Sequence, residues 1–257
     1  MIMKLFDSHA HYEDKMFEND AFEVLDSLKD TNVAKVLNCC SDVEVFDRVM
    51  DITHKYDFMY CSIGVHPHWV METPDDYLAR IEELAADPKV VAIGEMGLDY
   101  FFDEPKDVQE RIFRQQLELA QKLDKPVIIH DRESHEDCFR ILREYKPQGI
   151  IHRYSGPYNL LKEALDWGMY VSINNDLTYP GWIDEYGQWI REVDLDHLLI
   201  ETDCPYAPPH GSGKERCTSA EVYDVLKCVA ALKGVSEEEL ADITYRNTLK
   251  AYRISEE

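Results

Sequence analysis

The amino-acid sequence predicts a single (β/α)8 TIM barrel, and three observations lead to this prediction. Short apolar runs rich in Val and Ile alternate with longer segments in which apolar residues recur three or four positions apart. Several of the short runs are apolar throughout, which is typical of parallel strands covered on both faces. No Gly/Ser linker or change in composition divides the 257 residues, so we expect one domain over residues 1–257 rather than two.

The alternation gives eight strands with helices between them. The strands are predicted at residues 4–9, 33–39, 58–65, 90–97, 126–131, 149–153, 169–173 and 197–203. The amphipathic helices are predicted at residues 21–31, 43–56, 74–87, 108–123, 135–145, 158–168 and 182–194. A doubly wound sheet is the alternative, but that fold usually carries a glycine-rich phosphate loop after its first strand, where this chain has HAHYED.

The composition indicates a soluble, acidic protein. Hydrophobic residues make up 45% of the chain, and no segment approaches the roughly 20 apolar residues of a membrane span, so we expect no membrane partner. The first residues lack the pattern of a secretory signal or a transit peptide, and the seven cysteines form no C-x-x-C pair, so we expect reduced thiols and a cytoplasmic location. The net charge of −24 repels polyanions, so a nucleic-acid substrate must overcome this field locally.

Six polar residues stand at the ends of predicted strands, where the loops of a barrel build active sites. They are His9, His11, Glu95, His130, His152 and Asp203. Residues two apart on an extended segment share a face, so His9 and His11 can offer two imidazoles to one ion. Four imidazoles and two carboxylates exceed what one tetrahedral ion takes, but they suit two ions about 3.5–4 Å apart with Glu95 as the bridge.

The types of donor atom limit which metal ions fit the site but do not identify the metal. Mixed nitrogen and oxygen ligation suits Zn, Mn or another borderline divalent ion and does not exclude Mg. Taken singly, a histidine or glutamate at a strand end is more often a hydrogen-bonded polar residue than a ligand. Six such residues at corresponding strand ends favour a shared metal site.

The ordered motifs resemble those of the TatD family of metal-dependent hydrolases, in the amidohydrolase superfamily. The motifs are DSHAHYED, GVHPH, GEMGLDYF, PVIIHDRES, IIHRYSG and ETDCPY, and they run from the first strand to the last. The resemblance implies a metal-dependent hydrolase barrel with deoxyribonuclease activity, often exonucleolytic. It also implies that His9, His11 and Asp203 hold one ion, that His130 and His152 hold the other, and that Glu95 bridges them.

Two segments depart from the family pattern. The family usually has HCFSG where this chain has HRYSG, which places Arg153 and Tyr154 beside a predicted ligand. After ETDCPYAPP the family commonly continues with an RGKRNEP-like loop, where this chain has HGSGKERCTSAEVY at 210–223. These changes affect the expected substrate and leave the predicted ligands intact.

Roles follow from these positions. We expect Asp203 and Glu95 to be catalytic, with Asp203 accepting the proton of the attacking water. Asp7 shares a strand face with His9, and Glu201 shares one with Asp203. Both are expected to hydrogen-bond to a metal ligand and so orient it, although burial against backbone groups is an equal alternative for Glu201.

Four further residues are candidate substrate contacts: Arg132, Arg153, His66 and His68. The arginines follow predicted ligands and can grip a phosphate with two N–H groups, but each could equally be a solvated loop residue. The two histidines follow the third strand and face the same mouth, where they could contact substrate or donate a proton; that they are neutral loop histidines without either role is an equal alternative. The rings of the DYFF run, residues 99–102, could stack on a base, although such a run more often packs a loop.

Three function classes remain open. The first is a phosphodiesterase, which the matching motifs favour as a TatD-type deoxyribonuclease. We expect it to bind DNA ends or short oligonucleotides weakly and with strong salt dependence. The second is an amide or ester hydrolase such as a D-aminoacyl-tRNA deacylase. The third is a metal-binding barrel without nuclease activity, which would be expected to lack a ligand. No obligate protein partner is evident from the sequence.

Overall fold

The computed structural model describes residues 3–255, and these form one eight-stranded parallel sheet in the order β1 to β8. The strands are β1 Leu5–Ala10, β2 Val33–Cys39, β3 Met59–Ile63, β4 Val90–Asp99, β5 Val127–Arg132, β6 Gly149–Ile151, β7 Tyr170–Ile173 and β8 Leu198–Ile200. Backbone hydrogen bonds from Asp203 N to His9 O (2.9 Å) and from His11 N to Cys204 O (2.7 Å) join the last strand to the first. The molecule is therefore a (β/α)8 barrel, as the alternating pattern predicted.

Nine α-helices lie within residues 3–255. They are α1 Ala21–Ser27, α2 Phe46–Lys55, α3 Tyr77–Leu84, α4 Lys106–Leu123, α5 His135–Tyr145, α6 Tyr158–Asp166, α7 Trp182–Glu192, α8 Val222–Lys233 and α9 Glu237–Ala251. The first seven correspond to the seven predicted helices, whereas α8 and α9 follow β8 in a part of the chain that the sequence pattern left unassigned. None of the helices within the described residues is long and apolar enough to cross a membrane.

Two apolar layers stabilise the barrel. One lies between the outer faces of the strands and the surrounding helices. The other fills the barrel interior near the starts of the strands, where Phe6, Ile128 and Leu199 pack against Tyr245 and Tyr252 from the C-terminal segment. The hydroxyl of Tyr252 donates to Ser8 O at 2.7 Å. These contacts close the end of the barrel at which the strands begin, so the opposite end alone is left for polar side chains.

A close approach of β4 to β5 positions part of the polar end. Gly97 pairs with His130 in the sheet, and its φ of 150° lies in a region that favours glycine. A Cβ atom at this position would lie 1.9 Å from His130 O. Glycine at residue 97 therefore allows β5 to bring His130 beside the residues that β4 carries.

Candidate metal centre

The structure brings the six strand-end residues together at the mouth of the barrel. His9 lies within β1 and His11 directly follows it; Glu95 lies within β4, and His130 within β5. His152 directly follows β6, and Asp203 lies three residues beyond β8. Five of these side chains are almost completely buried, and His130 is partly buried.

Glu95 lies among the four imidazoles, and its two oxygens face different pairs. Oε1 is 2.8 Å from His130 Nδ1 and 2.8 Å from His152 Nε2. Oε2 is 3.3 Å from His9 Nε2 and 3.6 Å from His11 Nε2. The carboxylate therefore divides the imidazoles into two pairs, one on each side.

Asp203 joins the pair that contains His9 and His11. Its Oδ1 is 3.5 Å from His11 Nε2 and 3.8 Å from His9 Nε2. Its backbone has a φ of 58°, in the left-handed region, which turns the chain out of the direction of β8. The hydrogen bond from its N–H to His9 O fixes this turn against β1.

Three of the four histidines meet a second carboxylate on the nitrogen that faces away from Glu95. Glu13 Oε1 is 3.1 Å from His11 Nδ1, Asp99 Oδ2 is 2.9 Å from His130 Nε2, and Glu201 Oε1 is 3.3 Å from His152 Nδ1. A carboxylate at this position fixes the tautomer and the orientation of a ligating imidazole. His9 differs, because its Nδ1 has no partner among the described residues.

The sequence interpretation anticipated only one of these three contacts. Glu201, which was expected to orient one of the ligands, lies behind His152, and its other oxygen accepts a hydrogen bond from Ser172 at 2.5 Å. Glu13 and Asp99 were missed, although Glu13 lies two residues after His11 and so shares its face of an extended segment. No comparable local pattern connects Asp99 with His130, because that contact depends on the pairing of β4 with β5.

Asp7 supports the loop after β8 rather than an imidazole. Its two oxygens accept hydrogen bonds from the backbone N–H and the hydroxyl of Thr202, at 2.8 and 2.6 Å. Burial raises the pKa of Asp7 to about 7, even though these hydrogen bonds lower it. Asp7 therefore helps to position the segment that carries Asp203.

The carboxylates control the charge of the imidazoles. Burial alone would lower the pKa of His152, but Glu95 and Glu201 raise it to about 10. The pKa values of His11 and His130 are also raised by neighbouring carboxylates against the effect of burial. The pKa of His9 is lowered, because burial and the nearby His152 disfavour its charged form.

The two carboxylates at the centre are held in their charged form. Burial would raise the pKa of Glu95, but the surrounding histidines lower it well below its usual range. Burial would likewise raise the pKa of Asp203, but His11 and Arg153 lower it. Both groups are therefore anionic at neutral pH and can coordinate cations.

The residues of the centre fit divalent metal ions. His9, His11 and Glu95 offer three ligand atoms within 4.8 Å of one another, and Glu95, His130 and His152 offer another such set. The paired imidazole nitrogens lie 3.0 and 3.3 Å apart. Buried nitrogen and oxygen donors converging in this way are the usual environment of borderline divalent ions.

Of the two histidines after β3, only His66 borders the centre. Its Nε2 is 3.7 Å from Glu95 Oε1, and its ring centroid is 4.2 Å from that of His130. Burial and the neighbouring His130 lower the pKa of His66 to about 3, so the ring is neutral. The His68 ring lies against Phe102 instead, with 4.2 Å between the ring centroids.

The two candidate arginines differ in what they contact. Arg153 donates from Nη1 to Asp203 Oδ2 at 3.1 Å and from Nε to Asp176 Oδ2 at 2.6 Å. It is thus paired with two carboxylates and is not a spare cation at the mouth. The Arg132 guanidinium lies over the ring of Phe101, 3.8 Å from its centroid.

The segment 210–223, which departs from the family pattern, uses its own cations in ion pairs. Arg216 pairs with Asp20, in the chain before α1, whereas Lys214 pairs with Glu221 within the segment itself. Tyr206, which precedes this segment, donates to Asp14 at 2.7 Å. The basic residues of the segment are therefore used within the protein.

Comparisons with known proteins agree with this geometry. The family model of the TatD related DNases matches residues 6–253. The chain is 37% identical over 255 residues to the uncharacterized metal-dependent hydrolase YabD of Bacillus subtilis, covering 98% of this chain and 100% of the relative. It is 29% identical to the deoxyribonuclease Tat-D of Schizosaccharomyces pombe, over 93% of this chain and 89% of the relative.

A solved structure supports the same relationship. The crystal structure of the TatD homologue YjjV from Escherichia coli K12 superimposes with a TM-score of 0.92 and 27% sequence identity. The match covers 99% of this chain and 100% of that one. Taken with the family match across residues 6–253, these findings show that the chain belongs to the TatD family of metal-dependent hydrolases.

Proposed function

We propose that this chain is a deoxyribonuclease that hydrolyses phosphodiester bonds with two divalent ions. The observation that carries the proposal is the position of Glu95, whose Oε1 faces His130 and His152 while Oε2 faces His9 and His11. A carboxylate between two sets of ligands is what a two-metal site requires.

The residues divide between the ions as follows in this proposal. His9, His11 and Asp203 hold one ion, His130 and His152 hold the other, and Glu95 bridges them. Two such ions, when bound, would lower the pKa of the attacking water and neutralise charge on the leaving oxygen of a phosphodiester. The donor set suits Zn or Mn and does not exclude Mg.

The protein itself contributes orientation and proton transfer. Asp203 is anionic at neutral pH and is proposed to accept the proton of the attacking water, while Arg153 holds its Oδ2 in place. Glu13, Asp99 and Glu201 keep their imidazoles turned toward the centre. His66, beside Glu95, is proposed to contact the substrate as a neutral ring.

The proposed substrate is the end of a DNA strand or a short oligonucleotide, cleaved by an exonuclease. Support comes from the deoxyribonuclease among the relatives and from the charge of the chain. A protein with a net charge of −24 has few spare cations for wrapping a duplex, so binding should be weak and strongly salt-dependent. We also propose one domain over residues 1–257 and a cytoplasmic location, which the seven free cysteines support.

The test is a panel of labelled single-stranded DNA, duplex DNA, RNA and aminoacyl-tRNA, incubated with Mg, Mn or Zn and with or without chelator. We expect metal-dependent shortening of single-stranded DNA from one end and loss of this activity in His130→Ala. A matched control is His54→Ala, because His54 also contacts an aspartate (Asp87, 2.8 Å) but lies on the outer helix α2.

Two outcomes would contradict the proposal. In the first, metal-loaded protein leaves every DNA substrate intact. In the second, His130→Ala and the wild type degrade DNA equally, which would indicate a contaminating nuclease. If only aminoacyl-tRNA is hydrolysed, the protein is an ester hydrolase and not a nuclease.

A further inference from the structure

Two exposed phenylalanines lie beside the metal centre and have no role in the arrangement described above. The side chains of Phe101 and Phe102 are 55% and 36% exposed. If this segment only packed a loop onto the barrel, its rings would be buried. Neighbouring exposed rings are typical instead of a surface that contacts another molecule. We refer to Phe101 and Phe102 as the aromatic platform.

Short contacts connect the platform to the metal centre. The backbone N–H of Phe101 donates to Asp99 Oδ1 at 2.9 Å, and the other oxygen of Asp99 is 2.9 Å from His130 Nε2. The ring of Phe102 lies 4.2 Å from that of His68, which follows β3 at the same mouth. The backbone of Phe101 is therefore anchored to the same carboxylate that contacts His130.

A cation accompanies the platform. The Arg132 guanidinium carbon is 3.8 Å from the centroid of the Phe101 ring and 5.8 Å from that of Phe102. Within residues 3–255 no carboxylate forms an ion pair with Arg132, in contrast to Arg153. A guanidinium stacked on a ring keeps its N–H edges available for a phosphate.

We propose that the aromatic platform stacks unpaired nucleobases of the substrate while Arg132 holds a phosphate of the same strand. This inference rests on the proposed nuclease function and defines its substrate as single-stranded or frayed DNA. Inside a duplex both faces of each base are covered by neighbouring bases, so a base must be unpaired or at the end of a strand to stack on Phe101 or Phe102. Stacking also gives binding that does not depend on net charge, which suits a chain of net charge −24.

The test compares two oligonucleotides of equal length. One carries its normal bases, and in the other the residues near the cleaved end are abasic tetrahydrofuran units with the same phosphates. We expect the wild type to prefer the base-bearing strand. Phe102→Ala should lower kcat/KM for that strand about tenfold and leave kcat/KM for the abasic strand unchanged. Phe101→Ala also removes the ring under Arg132, so it should lower kcat/KM for both strands, and more for the base-bearing one. Phe101→Tyr keeps a ring and should keep the preference.

Phe22 provides a matched control. Its ring is 42% exposed and lies under the Lys55 ammonium at 3.7 Å, so it resembles Phe101 under Arg132. The ring of Phe22 contacts Lys55, the last residue of α2, and the neighbouring Tyr56, and within residues 3–255 it forms no ring or cation contact with a residue of the metal centre. Phe22→Ala should leave kcat/KM unchanged for both strands.

Binding is measured separately from cleavage with an oligonucleotide that contains 2-aminopurine and cleavage-resistant phosphorothioate linkages. Stacking on the platform should quench its fluorescence, and Phe101→Ala with Phe102→Ala should abolish the quenching. The inference is overturned if these variants keep the wild-type preference between the two strands, or if they lose activity equally on both. If the wild type cleaves neither strand, the nuclease proposal fails, and the quenching still decides whether the platform stacks bases.

Discussion

Replacing Asp99 by asparagine should selectively weaken the metal site that contains His130. Both oxygens of Asp99 accept hydrogen bonds, one from the Phe101 N–H and one from His130 Nε2, each at 2.9 Å. The side chain is 1% exposed, so water cannot replace a lost partner. Asparagine has only one acceptor oxygen and must turn its NH2 group toward one of these two donors.

The size of the effect follows from this conflict. Loss of a carboxylate behind a ligating histidine weakens metal binding by about 10- to 100-fold. The effect of Asp99→Asn should lie near the upper end of this range, because its buried NH2 group would also face another donor, either the Phe101 N–H or His130 Nε2. Glu13→Gln should lie near the lower end, because Glu13 Oε2 has no partner among the described residues and an NH2 group there displaces no hydrogen bond.

The assay is a titration of chelator-treated protein with Zn or Mn in competition with a fluorescent chelator, fitted for two ions. Asp99→Asn should weaken one of the two ions and Glu13→Gln the other, because Asp99 contacts His130 whereas Glu13 contacts His11. Thermal unfolding of both variants with chelator present shows whether they are folded. The reasoning is refuted if folded Asp99→Asn binds both ions as tightly as the wild type.

Three further predictions concern the pH dependence, the electrostatics and the packing of the same region. Carboxylates hold the pKa of His152 at about 10 without an ion, so His152 must lose a proton before it can bind one. Binding of divalent ions at pH 7 should therefore release protons and tighten as pH rises. Equal binding enthalpies in two buffers of different ionisation enthalpy would contradict this. Arg153→Ala should move the acidic limb of the plot of kcat/KM against pH to higher pH, because Arg153 helps to lower the pKa of Asp203. An unchanged limb would be evidence against this interaction between Arg153 and Asp203. Gly97→Ala should destabilise the fold by about 3 kcal/mol or more, because the alanine Cβ would lie 1.9 Å from His130 O. A thermal unfolding midpoint within about 2 °C of the wild type would exclude this clash.

The strands of the barrel were predictable because their hydrophobic pattern is local. The predicted strand at 33–39 coincides with β2, and the helix predicted at 135–145 coincides with α5. The helices α8 and α9 were not assigned, and the C-terminal residues Tyr245 and Tyr252 pack into the barrel interior. A pattern within one segment indicates its secondary structure but not which end of the barrel it covers.

The candidate ligands were predictable for a topological reason. In a (β/α)8 barrel every strand ends at the same mouth, so polar residues at corresponding strand ends must lie near one another. His9, His130 and Asp203 are far apart in the sequence, yet their positions relative to their own strands were enough to group them. The family motifs added the proposed division between two ions.

The sequence by itself therefore determined the barrel, the mouth and the residues that face it. Only the tertiary structure decided which atoms meet: the two oxygens of Glu95 each face a different pair of imidazoles, Asp99 lies behind His130, and Arg153 is paired with Asp203. The physical reason is one of scale. Hydrophobic periodicity assigns a residue to a face, whereas a hydrogen bond is made or lost within a few tenths of an ångström, and that depends on how neighbouring strands are paired.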